Sequence, residues 1–196
     1  LEHVVAAETV LSEVDGLAGR LTIRGFSLDD LAGRTRFEDV VHLLFAGFFP
    51  DLPDDLTAQL GAARSAVFAE VAALDAQLLS LTPVEAMRGL TARLPDGDDL
   101  ETALRLVAAP AVFTAAVVRA QSGDRPVAPD PTLGHAADIL RMLRGRPAPA
   151  AHAEALDTYL VTVCDHGLNA STFAARVVAS TRAGLTSAVL AGIGAL

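Results

Sequence analysis

The chain has 196 residues, of which 52% are hydrophobic, and this length fits one globular domain with a sizeable core rather than two independent cores. Its net charge of −9 argues against nucleic-acid binding, because such a protein needs a basic face to displace counterions from phosphates. The single cysteine, Cys164, excludes an internal disulfide framework and fits a reducing compartment, so we expect a cytoplasmic protein.

The first part of the chain has a strand-like pattern. Residues 8–14 and 20–24 are runs of strand-forming residues, and the turn at 15–19 between them contains two glycines. This arrangement predicts a small β-hairpin at the N-terminal end of the fold.

The remainder of the chain has the pattern of helices. Ser27 is expected to cap a short helix over 28–32, and apolar residues spaced near 3.6 predict a longer helix from Phe37 to the break at Phe49-Pro50. The expected fold class is therefore all-α. Further helices are predicted over 56–79, 83–94, 100–121, 133–144, 151–163, 171–181 and 185–196.

The apolar run over 106–118 is the longest candidate for a membrane span. It lies between Arg105 and Arg119 and is shorter than the ~20 residues that a bilayer requires. We therefore expect a buried core helix, bent at Pro110, and no contact with a membrane.

The last two predicted helices are built largely from small and apolar residues. Little polar surface follows Leu185, so we expect this part to be covered by further chain or by another subunit. The chain begins with Leu1 and ends at Leu196 after an apolar stretch, and from this we expect a piece of a longer protein.

The segment 164–172 gathers an acid, an imidazole, an amide and hydroxyls within nine residues that open a helix. Asn169 or Ser171 can cap this helix, and His166 precedes its first turn. Backbone N–H groups and the positive end of the helix dipole suit a small anion, so we interpret this segment as an anion-binding site.

Simpler interpretations of the same residues are also open. His166 can be a structural histidine, and Asn169 can be only a cap. A thiol nucleophile or a metal site at Cys164 to His166 is disfavoured, because adjacent residues rarely converge on one atom and the chain has no second cysteine. The other histidines are expected in structural or surface roles, and they are His3, His42, His135 and His152.

Two segments of the chain resemble the motifs of a known family. Residues 133–145 have the sequence LGHAADILRMLRG, and residues 165–181 have the sequence DHGLNASTFAARVVAST. With weaker matches in the predicted strands and over 37–47, the chain resembles the N-terminal half of citrate synthases, including 2-methylcitrate synthases, almost from end to end. The departures are Val163-Cys164 where relatives often have His-Ala, Asp138 where Asn is common, and 182–186 where an acidic-aromatic turn is usual.

The resemblance implies an all-α citrate synthase fold, with residues 1–196 as the N-terminal part of the large domain and with the small domain and C-terminal part absent. It also implies that His166 and Asn169 help to hold oxaloacetate or citrate, with Ser171 beside them. The catalytic histidines and aspartate are expected beyond Leu196, so none is assigned within the chain.

The implied activity is the condensation of acetyl-CoA with oxaloacetate to give citrate and CoA, through acid–base positioning and domain closure. Acetyl-CoA is the co-substrate, and neither a metal nor a prosthetic group is implied. The complete enzyme is expected to be a homodimer that associates through the Ala-rich helices, and the 196 residues alone are expected to be inactive.

Two other functions remain open at this point. The first is a 2-methylcitrate synthase, which uses propionyl-CoA; these residues do not distinguish it from a citrate synthase, because the acyl-binding groups are expected beyond Leu196. A non-catalytic helical module that acts by association is the alternative from a different class of protein.

Overall fold

The computed structural model describes residues 7–195, and these fold mainly into helices, which confirms the all-α prediction. The predictions for His3 and for the end of the last helix at Leu196 lie outside these residues. The elements are β1 Ser12–Asp15, β2 Arg20–Ile23, β3 Phe26–Ser27, α1 Leu28–Leu31, α2 Phe37–Phe45, α3 Thr57–Phe68, a 3-10 helix Ala69–Ala73, α4 Ala76–Leu79, α5 Pro83–Thr91, α6 Leu100–Gln121, α7 His135–Arg144, α8 Ala150–Thr162, α9 Ala170–Ser180 and α10 Leu185–Gly194.

The predicted hairpin is confirmed, with shorter strands than expected and a third strand beside it. β1 pairs antiparallel with β2, from Ser12 opposite Ile23 to Asp15 opposite Arg20, and the two-residue β3 pairs with β2. Asp15 Oδ1 accepts the backbone N–H groups of Leu17 and Ala18, at 3.1 and 2.9 Å, and so stabilises the turn.

α6 lies at the centre of the fold. Its residues Val112, Phe113 and Val117 are almost completely buried in one cluster with Leu60 and Leu90, and α3, α5 and α7 pack around it. The helix continues through the Pro110 position. The whole of α6 is long and apolar enough to cross a membrane, contrary to our expectation from the shorter apolar run inside it. In this structure 56% of its most apolar part is buried inside the protein, as is typical of a core helix.

One predicted helix is wrong. The segment 56–79 is divided into α3, a 3-10 helix and α4, because Asp75 Oδ1 accepts the backbone N–H of Leu78 at 2.8 Å and caps a new helix there. α2 also ends earlier than predicted, since Gly47 after it adopts a left-handed φ of +82°.

A second, smaller cluster positions the start of α9. Ile23 of β2, Leu31 of α1, Val40 of α2 and Val161 near the end of α8 are buried together, and Cys164 packs against them. The chain therefore leaves α8 at a point fixed by the sheet and by α2, and the turn to α9 begins there.

A buried polar cluster joins α2, α3 and α7. Arg64 Nε donates to Asp138 Oδ2 at 2.8 Å with both side chains fully buried, so the aspartate that departs from the family pattern pairs with a buried arginine. His135 Nδ1 lies 3.3 Å from Arg64 Nη1, the His135 ring stacks on Phe37, and Glu38 Oε1 accepts the His135 backbone N–H at 2.6 Å. Burial of the imidazole is the larger cause, and the nearby Arg64 charge the smaller cause, that lowers the pKa of His135 to about 3. The ring is therefore neutral at neutral pH, and its role is structural.

Candidate functional site

The turn between α8 and α9 is held by a side-chain to backbone bond and by a glycine. Asp165 Oδ1 accepts the backbone N–H of Gly167 at 2.8 Å. Gly167 has a φ of +88°, and a Cβ there would lie 2.8 Å from Val14 Cγ2 in β1. Only glycine satisfies both conditions, so the sheet and the turn together fix where α9 begins.

Asn169 is the N-cap of α9. Its Oδ1 accepts the backbone N–H of Thr172 at 2.9 Å, the Thr172 hydroxyl at 2.8 Å and the Ser171 hydroxyl at 2.7 Å. Of the two residues that the sequence offered as caps, Asn169 therefore takes that position and Ser171 donates to it.

His166 lies on the other side of the same amide. Its Nε2 is 3.3 Å from Asn169 Nδ2, and the imidazole is exposed at the surface. Because Asn169 Oδ1 accepts three donors, Asn169 Nδ2 is the group that faces His166. A hydrogen bond between them requires His166 Nε2 to accept, which assigns the ring proton to Nδ1. His166, Asn169 and Ser171 thus form one hydrogen-bonded chain, which brings together the three residues singled out from the sequence.

The first turn of α9 supplies further donors. Among the described residues, no hydrogen bond is found from the Ala170 and Ser171 backbone N–H groups, while those of Thr172 and Phe173 bond to Asn169. These N–H groups, the positive end of the helix dipole and the imidazole suit a carboxylate. Whether these residues bind a substrate remains a prediction.

Cys164 is poorly suited to nucleophilic chemistry. Burial of the thiol, with Asp165 beside it, raises the pKa of Cys164 to about 11. The thiolate is therefore scarce at neutral pH, which argues against a thiol nucleophile. Within residues 7–195, no three His, Cys, Asp or Glu side chains are close enough to hold a metal ion together.

An apolar cleft of about 530 Å³ lies beside the same turn. Phe45 and Phe48 of the α2 end, Leu106 of α6 and Val189 of α10 contribute to its wall, and Asp165 reaches its edge. The sequence analysis did not identify this cleft, because its wall combines segments from five parts of the chain that no motif connects.

Two further groups of interacting residues were also missed. Arg64 has no sequence signal beyond an arginine in a helix, and its buried partners lie about seventy residues further along the chain. Asp96 lies between the helices predicted over 83–94 and 100–121 and belongs to no motif, although its carboxylate bonds to Ser187 at the start of α10. The absence of a capping side chain at Gly184 is the signal that could have pointed to Asp96.

The comparison with known families identifies the chain. A family model described as "Citrate synthase, C-terminal domain" matches residues 1–196, which is the whole chain. The chain belongs to the citrate synthase family. The predicted family is therefore confirmed, while the assignment of the chain to the N-terminal part of the large domain remains a prediction.

Curated relatives of the citrate synthase family include enzymes with two names. Citrate synthase of Haloferax volcanii is 37% identical over 217 residues, which cover 100% of this chain and 56% of that protein. The 2-methylcitrate synthase of Mycobacterium tuberculosis is 36% identical over 212 residues, covering 100% of this chain and 52% of that protein. The chain thus spans about half the length of the curated relatives it matches.

Solved citrate synthase structures have the same fold. The crystal structure of citrate synthase from Thermotoga maritima matches with a TM-score of 0.82 and 25% sequence identity, covering 100% of this chain and 54% of that chain. The predicted citrate synthase fold is therefore confirmed, including the small sheet that precedes the helices.

Proposed function

We propose that the intact protein containing this chain is a citrate synthase that condenses acetyl-CoA with oxaloacetate to give citrate and CoA. The observation that carries the proposal is the hydrogen-bonded chain of His166, Asn169 and Ser171 at the first turn of α9. Family membership supports the reaction type, and the donors at this turn support a dicarboxylate as the ligand.

Each member of the proposed site has a distinct task. A substrate carboxylate accepts from the exposed N–H groups of the α9 first turn, and the His166 Nδ1–H remains as a donor because Nε2 accepts from Asn169. Asn169 fixes the distance between imidazole and helix, and Ser171 stabilises the amide orientation through its hydroxyl. Acetyl-CoA is the co-substrate, and the proposal includes no prosthetic group.

The catalytic groups are proposed to lie outside this chain. Two histidines and an aspartate beyond Leu196 would polarise the carbonyl groups and remove the methyl proton of acetyl-CoA. On this proposal the 196-residue chain alone does not catalyse the condensation. An assay of CoA release compares this chain with the intact gene product, and turnover by the 196 residues alone would contradict the proposal.

The decisive experiment is the substitution His166→Ala in the intact protein. Loss of a donor to an anionic substrate is expected to raise the KM for oxaloacetate about 10-fold or more. His152→Ala is the matched control, because His152 is an exposed histidine on the neighbouring helix α8. An unchanged KM for oxaloacetate would remove His166 from the site.

A 2-methylcitrate synthase is the second candidate. It is favoured by the 36% identity to the Mycobacterium tuberculosis enzyme of that name, which nearly equals the 37% identity to the Haloferax volcanii citrate synthase. The test is the ratio of kcat/KM for acetyl-CoA and propionyl-CoA with oxaloacetate in excess. A ratio that favours acetyl-CoA supports the main proposal, and one that favours propionyl-CoA replaces it.

The proposal includes a cytoplasmic homodimer that forms through α9 and α10. No side chain of α9 is buried, and Phe173 and Val177, one turn apart, are 56% and 50% exposed. Such an apolar helix face is typical of an interface.

The proposed cytoplasmic location rests on the single cysteine, Cys164, which is half-buried and fits a reducing compartment. Fractionation of the source cells, with an antibody against the protein, tests this location.

A further inference from the structure

α10 begins without a capping side chain of its own. Its N-cap residue is Gly184, with a φ of +100°, and the preceding turn over 181–183 contains no acidic residue. A helix start is stabilised when a side-chain oxygen accepts one of the first backbone N–H groups. At α10 that oxygen has to come from another part of the chain.

Asp96, in the loop between α5 and α6, supplies it. Asp96 Oδ1 accepts the backbone N–H of Ser187 at 3.1 Å, and Asp96 Oδ2 accepts the Ser187 hydroxyl. The Ser187 hydroxyl bond lowers the pKa of Asp96, so the carboxylate is ionised at neutral pH. The fit is close, since a Cβ at Gly184 would lie 2.4 Å from Asp96 Oδ1.

The backbone of the same loop adds two further bonds to α10. The Leu185 N–H donates to the Gly97 carbonyl at 2.8 Å, and the Thr186 hydroxyl donates to the Pro95 carbonyl at 3.0 Å. Thr186 is buried by this contact. The first turn of α10 is therefore attached to loop 95–97 by both main-chain and side-chain groups.

The position of α9 depends on α10. No side chain of α9 is buried, and α10 is its principal packing partner. Near the site the approach is close, because a Cβ at Gly192 of α10 would lie 3.5 Å from the Ser171 carbonyl oxygen. A change in the orientation of α10 would thus reach the first turn of α9.

We propose that Asp96 is a positioning residue: it caps α10 from a distant loop and thereby holds the first turn of α9, with Asn169 and Ser171, in the geometry that binds the dicarboxylate. The proposal rests on the proposed function for the identity of that ligand. Asp96 does not contact the site residues, and it acts through α10.

The test uses Asp96→Ala in the intact protein, with Asp98→Ala as the matched control. Asp98 is also an aspartate and lies two residues away in the same loop, but no hydrogen bond to it is found among the described residues. Loss of a cap worth about 1 kcal/mol corresponds to an increase of about 5-fold in the KM for oxaloacetate. Asp96→Asn keeps an acceptor for the Ser187 N–H and is expected to restore most of the affinity.

The outcomes separate positioning from general stability. A higher KM for oxaloacetate with an unchanged KM for acetyl-CoA, seen in Asp96→Ala and not in Asp98→Ala, supports the proposal. A lower kcat alone, or identical behaviour of the two variants, overturns it, because a smaller folded fraction lowers kcat without changing KM.

A second readout does not depend on the substrate. The imidazole resonances of His166 are compared by NMR in the wild type and in both variants. If the wild-type protein does not use oxaloacetate, the proposed function fails. Even then, His166 resonances that shift in Asp96→Ala but not in Asp98→Ala support the positioning of α9 by Asp96. Unshifted His166 resonances in Asp96→Ala overturn it.

Discussion

Asn169 uses both ends of its amide, and this explains why a single residue can serve the helix and the site. Its Oδ1 accepts from the first turn of α9, and its Nδ2 lies 3.3 Å from His166 Nε2. Aspartate could cap the helix equally well, but its ionised carboxylate could not donate to the imidazole. The cap position of Asn169 is therefore compatible with contact to a ligand, and that contact stays a prediction.

Gly167→Ala is expected to destabilise the protein. The positive φ of +88° and the 2.8 Å approach to Val14 Cγ2 leave no room for a Cβ, and we expect a loss of about 2 kcal/mol in the free energy of unfolding. Gly16→Ala is the control, because a Cβ at Gly16 meets no atom within 4 Å. Urea unfolding of the two variants gives the comparison, and equal midpoints would contradict the prediction.

The buried His135 predicts a pH dependence of stability. Its pKa falls from 6.5 to about 3 on folding, so between these values the unfolded state holds one more proton at this site. The free energy of unfolding should therefore decrease as the pH falls through this range, by about 1.4 kcal/mol per pH unit from His135.

His135→Gln isolates this contribution. Unfolding is measured from neutral pH downward, and the slope should be smaller in His135→Gln than in the wild type. His152→Gln, at an exposed position, should keep the wild-type slope. Parallel curves for the wild type and His135→Gln would show that His135 takes up a proton in the folded state as well.

At the scale of single elements, α9 is the helix on which the site depends most. Asn169→Ala removes the cap and should cost about 1 kcal/mol of stability. Asn169→Asp keeps the cap but loses the donor to His166, so its stability should stay near that of the wild type while the KM for oxaloacetate rises. Thermal unfolding and steady-state kinetics measured together separate the two roles, and equal stability of the two variants would contradict the capping role.

The accuracy of the predicted elements varies with the local signals at their ends. Both ends of α6 agree with the prediction, since Asp99 caps its start and Gly123 follows its end with a left-handed φ of +82°. The segment 56–79 was misread, because its apolar spacing continues through the 3-10 turn and only the Asp75 cap marks the new helix. Apolar periodicity alone does not distinguish one helix from two in line.

At the scale of the whole molecule, the central helix α6 and the later helix α9 differ in how well they are buried. α6 is surrounded by α3, α5 and α7, whereas none of the α9 side chains is buried. Exposed apolar side chains on a helix of the candidate site imply a covering surface in the intact protein. This is the basis for the proposed dimer.

Phe173→Glu should dissociate the proposed dimer. A charge placed in an apolar interface is expected to raise the dimer dissociation constant about 100-fold or more. Tyr159→Glu on α8 is the control, because Tyr159 is 60% exposed on a different helix. Analytical ultracentrifugation of the intact protein measures the result, and a dimer unaffected by Phe173→Glu would place the interface elsewhere.

The sequence by itself determined the helical class, most helix positions, the family and the segment of the candidate site. These features depend on local spacing and on residues close together in the chain, such as His166, Asn169 and Ser171. Only the tertiary structure decided the partners of Arg64, the apolar cleft beside Asp165 and the capping of α10 by Asp96. The hydrogen bonds from Arg64 to Asp138 and from Ser187 to Asp96 join residues 74 and 91 positions apart. A hydrogen bond depends on the distance between two atoms in space, and the order of residues along the chain does not give that distance.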